Sequence, residues 1–164
     1  MLSLSQSTGY AIMALSCLEG PEGRLVLARD IAKRTGIPKA YLAKILHSLG
    51  RAGLLLAKRG YRGGVHLARP AGDISMLDVA EAVEGKGRLW GCLLGLAECR
   101  CDHRCPVHRF WQRESKRLEA RLERVTLDRM ARLLARYPAS AMVKKTHRGN
   151  ENRVSRRGAS TREP

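Results

Sequence analysis

The chain has 164 residues, of which 44% are hydrophobic and 28% charged, which is typical of a globular protein with one compact domain and appendages. Lysine and arginine outnumber aspartate and glutamate by 31 to 15, and the net charge of +16 favours a polyanionic partner, nucleic acid first and an anionic membrane surface second. Residues 139–164 hold only seven basic and two acidic side chains, so most of the excess charge precedes this tail.

Membrane insertion and secretion are not expected. No segment approaches the ~20 consecutive apolar residues of a membrane helix, and residues 11–18 lack the basic lead and cleavage site of a signal peptide. We therefore predict a cytoplasmic protein. In a reducing compartment five cysteines are a poor disulfide framework, and the four between residues 92 and 105 favour metal binding or redox chemistry. We find no nucleophile–base pairing, phosphate cradle or dinucleotide fingerprint, so we do not expect an enzyme.

The first half of the chain predicts three helices. Apolar residues at helical spacing between residues 10 and 18 indicate a first helix, with Cys17 as a small buried side chain. A short strand over 24–27 is expected to lead into a second helix over 28–35, stopped by a glycine. Pro38 is then expected in the first turn of a third helix, where its missing N–H is not needed.

The third helix has an apolar stripe and a polar outer face. The stripe expected to face the core consists of Tyr41, Leu42, Ile45, Leu46 and Leu49. The residues left on the outer face are Lys39, Ala40, Ala43, Lys44, His47 and Arg51. A helix, a glycine turn and a helix with a basic outer face make a helix-turn-helix pattern, and the alternative is a plain helical hairpin with a solvated face.

The following segment favours the helix-turn-helix. Strands are expected over 54–58 and 65–68, joined by a glycine-rich tip that carries Arg59 and Arg62. Such a wing can place arginine along a phosphate backbone or in a narrow minor groove. The alternative, an enzyme's phosphate loop, lacks the lysine and helix that must follow its glycines.

Further helices are expected on both sides of the cysteines. Ser75 and Asp78 form a capping-box-like start to a helix that ends near residue 84. A long helix anchored by Phe110 and Trp111 is expected through about Arg124. After it, Thr126 is expected to cap a short helix to Tyr137. Apolar residues of the long helix suit packing against a second copy, with packing on the same domain as the alternative. These residues are Leu118, Leu122 and Val125.

The predicted fold is mainly α with a small β wing, a winged helix-turn-helix domain followed by a long dimerisation helix. We place the DNA-binding domain at 1–84 and a hinge with a cysteine-rich, cluster-binding loop at 85–109. The dimerisation helix and a short C-terminal helix follow at 110–137, and a disordered basic tail at 138–164.

Several segments follow one another in an order that is specific as a set: GYAIMAL, DIAKRTGI, YLAKIL, LGRAGLL, RGYRGG, ISMLDVAEAVEG and a cysteine cluster ending in VHRFW. This order resembles the Rrf-type family of winged helix-turn-helix regulators, which includes IscR and NsrR, over about residues 2–136. The resemblance implies a homodimer that binds a dyad-symmetric operator in double-stranded DNA. Many members of the family also carry an iron–sulfur cluster that controls DNA binding, and the resemblance implies one here.

The resemblance implies DNA contacts by position. They fall on the third helix and the wing, at Lys39, Ala40, Tyr41, Ala43, Lys44, Arg59 and Arg62. IscR-like members have glutamate and glutamine where this chain has Ala43 and Lys44. Because lysine can contact guanine or phosphate and alanine only a thymine methyl, the target sequence is not carried over.

The resemblance also implies a cluster-ligand set, with one extra residue in the first gap relative to IscR-like members. The set is Cys92, Cys99, Cys105 and His108. Three thiolates and one imidazole suit a [2Fe–2S] cluster. The imidazole ligand raises the reduction potential of the cluster towards values that cellular oxidants can reach. Cys101 is the alternative fourth ligand. The family's other source of a fourth ligand is the first helix of the partner subunit. The matching positions here are Gly9 and Met13, which cannot supply a ligand.

Zinc is the chemical alternative, since Cys99, Cys101, Cys105 and His108 also have the spacing of a four-ligand zinc site.

We predict a DNA-binding transcriptional regulator, a repressor rather than an activator, whose operator affinity follows the state of the cluster and which senses redox, nitric oxide or iron–sulfur status. The alternatives are a metal-independent or thiol-sensing repressor and a zinc-structured DNA-binding protein.

Overall fold

The structure is a computed structural model that describes residues 4–21, 23–58, 60, 63–86, 91–93 and 105–137. Within these ranges the helices are α1 (Gln6–Ser16), α2 (Ala28–Thr35), α3 (Lys39–Arg51), α4 (Met76–Glu84), α5 (His108–Arg124) and α6 (Leu127–Leu134). The strands β1 (Leu55–Lys58) and β2 (Gly64–Leu67) form an antiparallel hairpin in which Leu55 lies opposite Leu67. The expected mainly α fold with a small β wing is confirmed.

One apolar core joins the helices on both sides of the wing. The fully buried large side chains include Leu15, Ile31, Leu42, Ile74, Val79 and Leu127. They come from α1, α2, α3, α4 with the turn before it, and α6. Burial of each such side chain contributes roughly 1.5–3 kcal/mol relative to exposure, so this common core holds the helix-turn-helix in place.

Local signals define the ends of the helices. Gly36 ends α2 in the left-handed conformation, with a φ of 72°, as the glycine stop predicts. The expected capping box begins α4: the Ser75 hydroxyl accepts from the Asp78 N–H at 3.0 Å, and the Asp78 carboxylate accepts from the Ser75 N–H at 2.9 Å. Arg69 also donates to Asp78 at 2.8 Å, which ties the end of the wing to α4.

Three local expectations need correction. Pro38 stands just before α3 as its N-cap rather than in its first turn. The segment 24–27 forms a single bridge to the wing instead of a strand, with Val26 and Val65 exchanging two backbone hydrogen bonds of 2.9 Å. Thr126 precedes α6, but its hydroxyl donates to the carboxylate of Asp128 and accepts no hydrogen bond from the helix backbone.

The junction between α5 and α6 is fixed to the start of α4. The Met76 N–H donates to the Val125 carbonyl and the Leu127 N–H to the Ile74 carbonyl, both at 2.8 Å. Leu122 and Val125 are therefore half-buried against the chain's own core, whereas Leu118 is 42% exposed. None of the helices described here is long and apolar enough to cross a membrane.

Candidate nucleic-acid interface and cysteine segment

The outer face of α3 is formed as predicted. Lys39, Ala40, Ala43 and Lys44 are all exposed, while the buried side of the same helix includes Leu42. The helix begins after Pro38 and lies on α1, α2 and α4. Two lysines and two alanines therefore face outward on its first two turns.

Tyr41 does not belong to the core stripe. It is 38% exposed, and its ring packs edge-on against Tyr10, with centroids 5.6 Å apart. The hydroxyls of Tyr41 and Ser7 share a hydrogen bond of 2.5 Å. An aromatic ring can cover apolar surface while its polar end stays in solvent, which a binary apolar pattern does not distinguish from full burial. Its exposure leaves Tyr41 on the same surface as Lys39, Ala40 and Lys44.

The base of the wing is fixed by a close backbone approach. A Cβ atom at Gly64, whose φ is +156°, would lie 2.9 Å from the Val26 carbonyl oxygen. Only glycine allows β2 to lie this close to the segment before α2. Lys58 ends β1 and is exposed, a basic residue near the tip that the strand pattern does not distinguish from its apolar neighbours. Arg59 and Arg62 lie outside the described residues.

The two ends of the cysteine segment meet at Trp111. Its indole N–H donates to the Gly91 carbonyl at 2.7 Å, next to Cys92. At the other end, the His108 N–H donates to the Cys105 carbonyl at 3.2 Å, and His108 is the first residue of α5. Cys92, Cys105 and His108 are each partly exposed. This contact closes the chain into a loop whose ends carry two of the predicted thiol ligands.

The described donors have the right chemistry for a cluster but are not a complete site. Thiolate and imidazole ligands suit an iron–sulfur cluster and zinc alike. In the part of the chain with assigned positions, no group of three histidine, cysteine or acidic side chains is arranged to hold a metal ion. The predicted ligands Cys99 and Cys101 lie outside that part.

Cys17 differs from the loop cysteines, as expected. It is 7% exposed at the end of α1, and burial raises the pKa of its thiol, although the nearby Arg34 charge partly offsets this. Arg34 also donates to the Cys17 carbonyl at 3.2 Å. A buried thiol that stays protonated is a poor nucleophile and a poor metal ligand.

The surface of α5, α6 and the turn after α6 exposes several large apolar side chains. These are Phe110, Leu118, Leu133 and Tyr137, with exposed fractions of 57%, 42%, 45% and 53%. On α1, Gly9 is exposed and Met13 is buried. The predicted tail, residues 138–164, lies outside the described residues.

Comparison with known proteins identifies the family. The Rrf2 profile, described as "Iron-dependent Transcriptional regulator", matches residues 4–133. IscR of Photobacterium profundum is 33% identical over 133 residues, which are 80% of this chain and 76% of that protein. The solved structure of T. potens IscR has a TM-score of 0.61 at 27% identity and covers 82% of this chain and 91% of its own.

A second solved structure, the oxidized form of Staphylococcus aureus CymR, has a TM-score of 0.61 at 25% identity, covering 79% of this chain and 95% of that one. The matching family and the IscR relative are transcriptional regulators and not enzymes. The matched region includes the helix-turn-helix, the wing, the cysteine segment and α5. The chain therefore belongs to the Rrf2 family of DNA-binding transcriptional regulators.

Proposed function

We propose that this regulator binds its operator as a homodimer and that an iron–sulfur cluster in the 92–108 segment controls its affinity. The observation that carries the proposal is the loop closed by Trp111 on Gly91, with Cys92 and Cys105 at its ends. This loop joins α4, which packs on α3, to α5. A change at the loop therefore acts on a connection that leads directly to the DNA-binding helix.

The DNA grip is proposed for α3 and the wing. Lys39 and Lys44 on α3 and Lys58 on β1 are exposed, and the net charge of +16 attracts the phosphate backbone. Ala40 and Ala43 leave room for a close approach to base edges, with thymine methyls as their apolar partner. Tyr41, Arg59 and Arg62 complete the proposed contacts.

The proposed ligands are Cys92, Cys99, Cys105 and His108, with Cys101 as the alternative fourth. When bound, a [2Fe–2S] cluster supplies redox-active iron whose potential an imidazole ligand raises. The chain contributes the closed loop end at Trp111 and a histidine held on the first turn of α5. In a cytoplasmic setting, signals that remove or oxidise the cluster would shift the protein between two operator-binding states, and repression is the expected outcome of binding.

A second copy is the proposed cover for the exposed apolar side chains of α5, α6 and the turn after α6. Leu118 and Phe110 lie on α5, and together with Leu133 and Tyr137 they leave four large apolar side chains in water. Leu122 and Val125 contact the chain's own core and are only partly accessible to a partner. Two DNA-binding domains related by a dyad would place their α3 helices about one turn of DNA, ~34 Å, apart.

A thiol-sensing regulator is the second candidate. One solved relative is the oxidized form of CymR, which supports redox control within this fold. On this alternative the partly exposed Cys92 and Cys105 change oxidation state without metal, and Cys17 takes no part because it is buried.

The test is anaerobic purification followed by iron, sulfide and zinc analysis. Iron and sulfide in equal amounts are expected for a [2Fe–2S] protein, whereas zinc without sulfide would exclude the cluster. A Cys92→Ala variant should lose the metal and change operator binding, while Cys17→Ala serves as the matched control. Unchanged operator binding of Cys92→Ala would instead favour a metal-independent repressor.

A further inference from the structure

Glu84 occupies the point where the DNA-binding domain leads into the cysteine segment. It is the last residue of α4 and is followed by Gly85, whose φ is 93°. Cys92 follows seven positions after Gly85. The position of the Glu84 side chain therefore depends on the direction in which the chain leaves α4.

The Glu84 carboxylate binds the first turn of α1. It accepts a hydrogen bond from the Thr8 hydroxyl at 2.6 Å and one from the Ser5 N–H at 3.2 Å. Thr8 is 0% exposed, so water cannot replace this acceptor without movement of α1. Ser5 is also the N-cap of α1, and its hydroxyl accepts from the Thr8 N–H at 3.2 Å. The carboxylate thus fixes the start of α1, where the helix dipole favours a negative charge.

The beginning of α1 also contacts α3, the proposed DNA-binding helix. The Ser7 hydroxyl shares its 2.5 Å hydrogen bond with Tyr41, and Tyr10 packs edge-on against the Tyr41 ring. Tyr10 is itself held by the Gln6 amide, which donates to its hydroxyl at 2.8 Å. Tyr41 lies in the first turn of α3, between the exposed Ala40 and Ala43. A movement of the first turn of α1 is therefore transmitted to the end of α3 that faces DNA.

We infer that Glu84 is a positioning residue that couples the cysteine segment to the recognition helix through Thr8, Ser7 and Tyr41. While Glu84 holds the first turn of α1, Tyr41 and the outer face of α3 are kept in one orientation. When the segment after α4 changes state, the carboxylate is drawn from Thr8, and α3 loses this support. The coupling part of the inference rests on the proposed function, whereas the support of α3 by Glu84 does not.

The experiment compares Glu84→Ala with Glu81→Ala in the full chain. Both changes remove a half-buried carboxylate from α4, but only Glu84 is bonded to α1. Amide hydrogen exchange of the peptide containing Tyr41 is measured in DNA-free, metal-free protein. We expect exchange roughly 2- to 30-fold faster in Glu84→Ala and unchanged in Glu81→Ala. Equal exchange in the two variants would overturn the inference.

Thr8→Val is the second variant, because it keeps the branched shape of the side chain and removes only the hydroxyl. It should accelerate exchange at Tyr41 in the same way, and it decides the question if Glu84→Ala does not fold. Unchanged exchange in Thr8→Val would then overturn the inference.

The coupling between the cysteine segment and α3 is tested by measuring operator affinity. On DNA selected from a random pool with the wild-type protein, the ratio of affinities between cluster-loaded and metal-free protein should fall towards one in Thr8→Val, by roughly 2- to 30-fold. A retained ratio with faster exchange would show that Glu84 supports α3 without transmitting the signal, and would overturn the coupling. A wild-type ratio of one would contradict the proposed function, while hydrogen exchange would still decide the role of Glu84.

Discussion

The helix-turn-helix with its wing and the described ends of the cysteine segment show different interactions. The first region shares buried side chains such as Leu15, Ile31 and Leu42 with a core that reaches α6. At the described ends of the second, polar contacts are found: the Trp111 indole donates to the Gly91 carbonyl and the His108 N–H to the Cys105 carbonyl. Apolar burial persists whatever the state of a cofactor, whereas a few polar contacts can be broken or remade at small cost. A buried core beside segment ends that meet through polar contacts suits a regulator.

The largest effect should come from the core. Leu15→Ala removes a side chain with 0% exposure and should lower the free energy of unfolding by about 2–5 kcal/mol, measured in urea. The loss should be the same with and without metal, because no described residue of the cysteine segment belongs to the core. Leu56→Ala is the control, since Leu56 is 53% exposed and its removal should cost less than about 0.5 kcal/mol. A loss that depended on metal would contradict the separation of the two regions.

Gly64→Ala tests the base of the wing. The added methyl would meet the Val26 carbonyl at 2.9 Å, so the hairpin must shift at a cost of about 1–3 kcal/mol. Operator binding should weaken because the wing is displaced, and titration at fixed salt measures this. Gly72→Ala meets no atom within 4 Å and should bind DNA normally. Normal binding by Gly64→Ala would mean that the wing takes no part in the grip.

Trp111→Phe tests the closed end of the cysteine segment. The change keeps an aromatic ring and removes only the N–H that reaches Gly91, so stability should fall by no more than about 1.5 kcal/mol. Iron release to a chelator should become roughly ten times faster, because the loop that carries the ligands is less fixed. Gln112→Ala, at the exposed neighbouring position, is the control. Equal rates of iron release would show that Trp111 does not fix the loop that carries the ligands.

The smallest change is chemical labelling of cysteines in the metal-free protein. Cys17 should react with iodoacetamide roughly tenfold or more slowly than Cys105, because burial raises the pKa of the Cys17 thiol and the thiolate is the reactive species. Mass spectrometry of the labelled peptides measures both rates, and in urea they should converge. Fast labelling of Cys17 in the folded protein would reopen a sensing role for it.

The elements that depend on local pattern could be predicted from the sequence. Helical periodicity and the Gly36 stop locate α2 and α3, and the capping box at Ser75 locates α4. Tyr41 was misplaced because periodicity locates a side chain on a helix but not the neighbour that covers it. The full contribution of residues near Val125 to the monomer core also escaped prediction, since it depends on pairing with residues 74–76, far away in sequence.

The candidate site was predictable in residue type rather than in arrangement. Cysteine spacing identifies donors, and the family order places them between α4 and α5. The positions of the segment's ends depend on a long-range contact, that of Trp111 with Gly91, twenty positions apart, which no local pattern encodes. The link from Glu84 to Thr8 is of the same kind, because its two residues are 76 positions apart.

The central claim is tested most directly by operator titration of cluster-loaded and metal-free protein, at one fixed salt concentration and on the same DNA. We predict affinities that differ by about 5- to 150-fold, the range of ordinary coupling between two sites. Equal affinities would contradict control by the cluster, because a ligand shifts only states that it distinguishes.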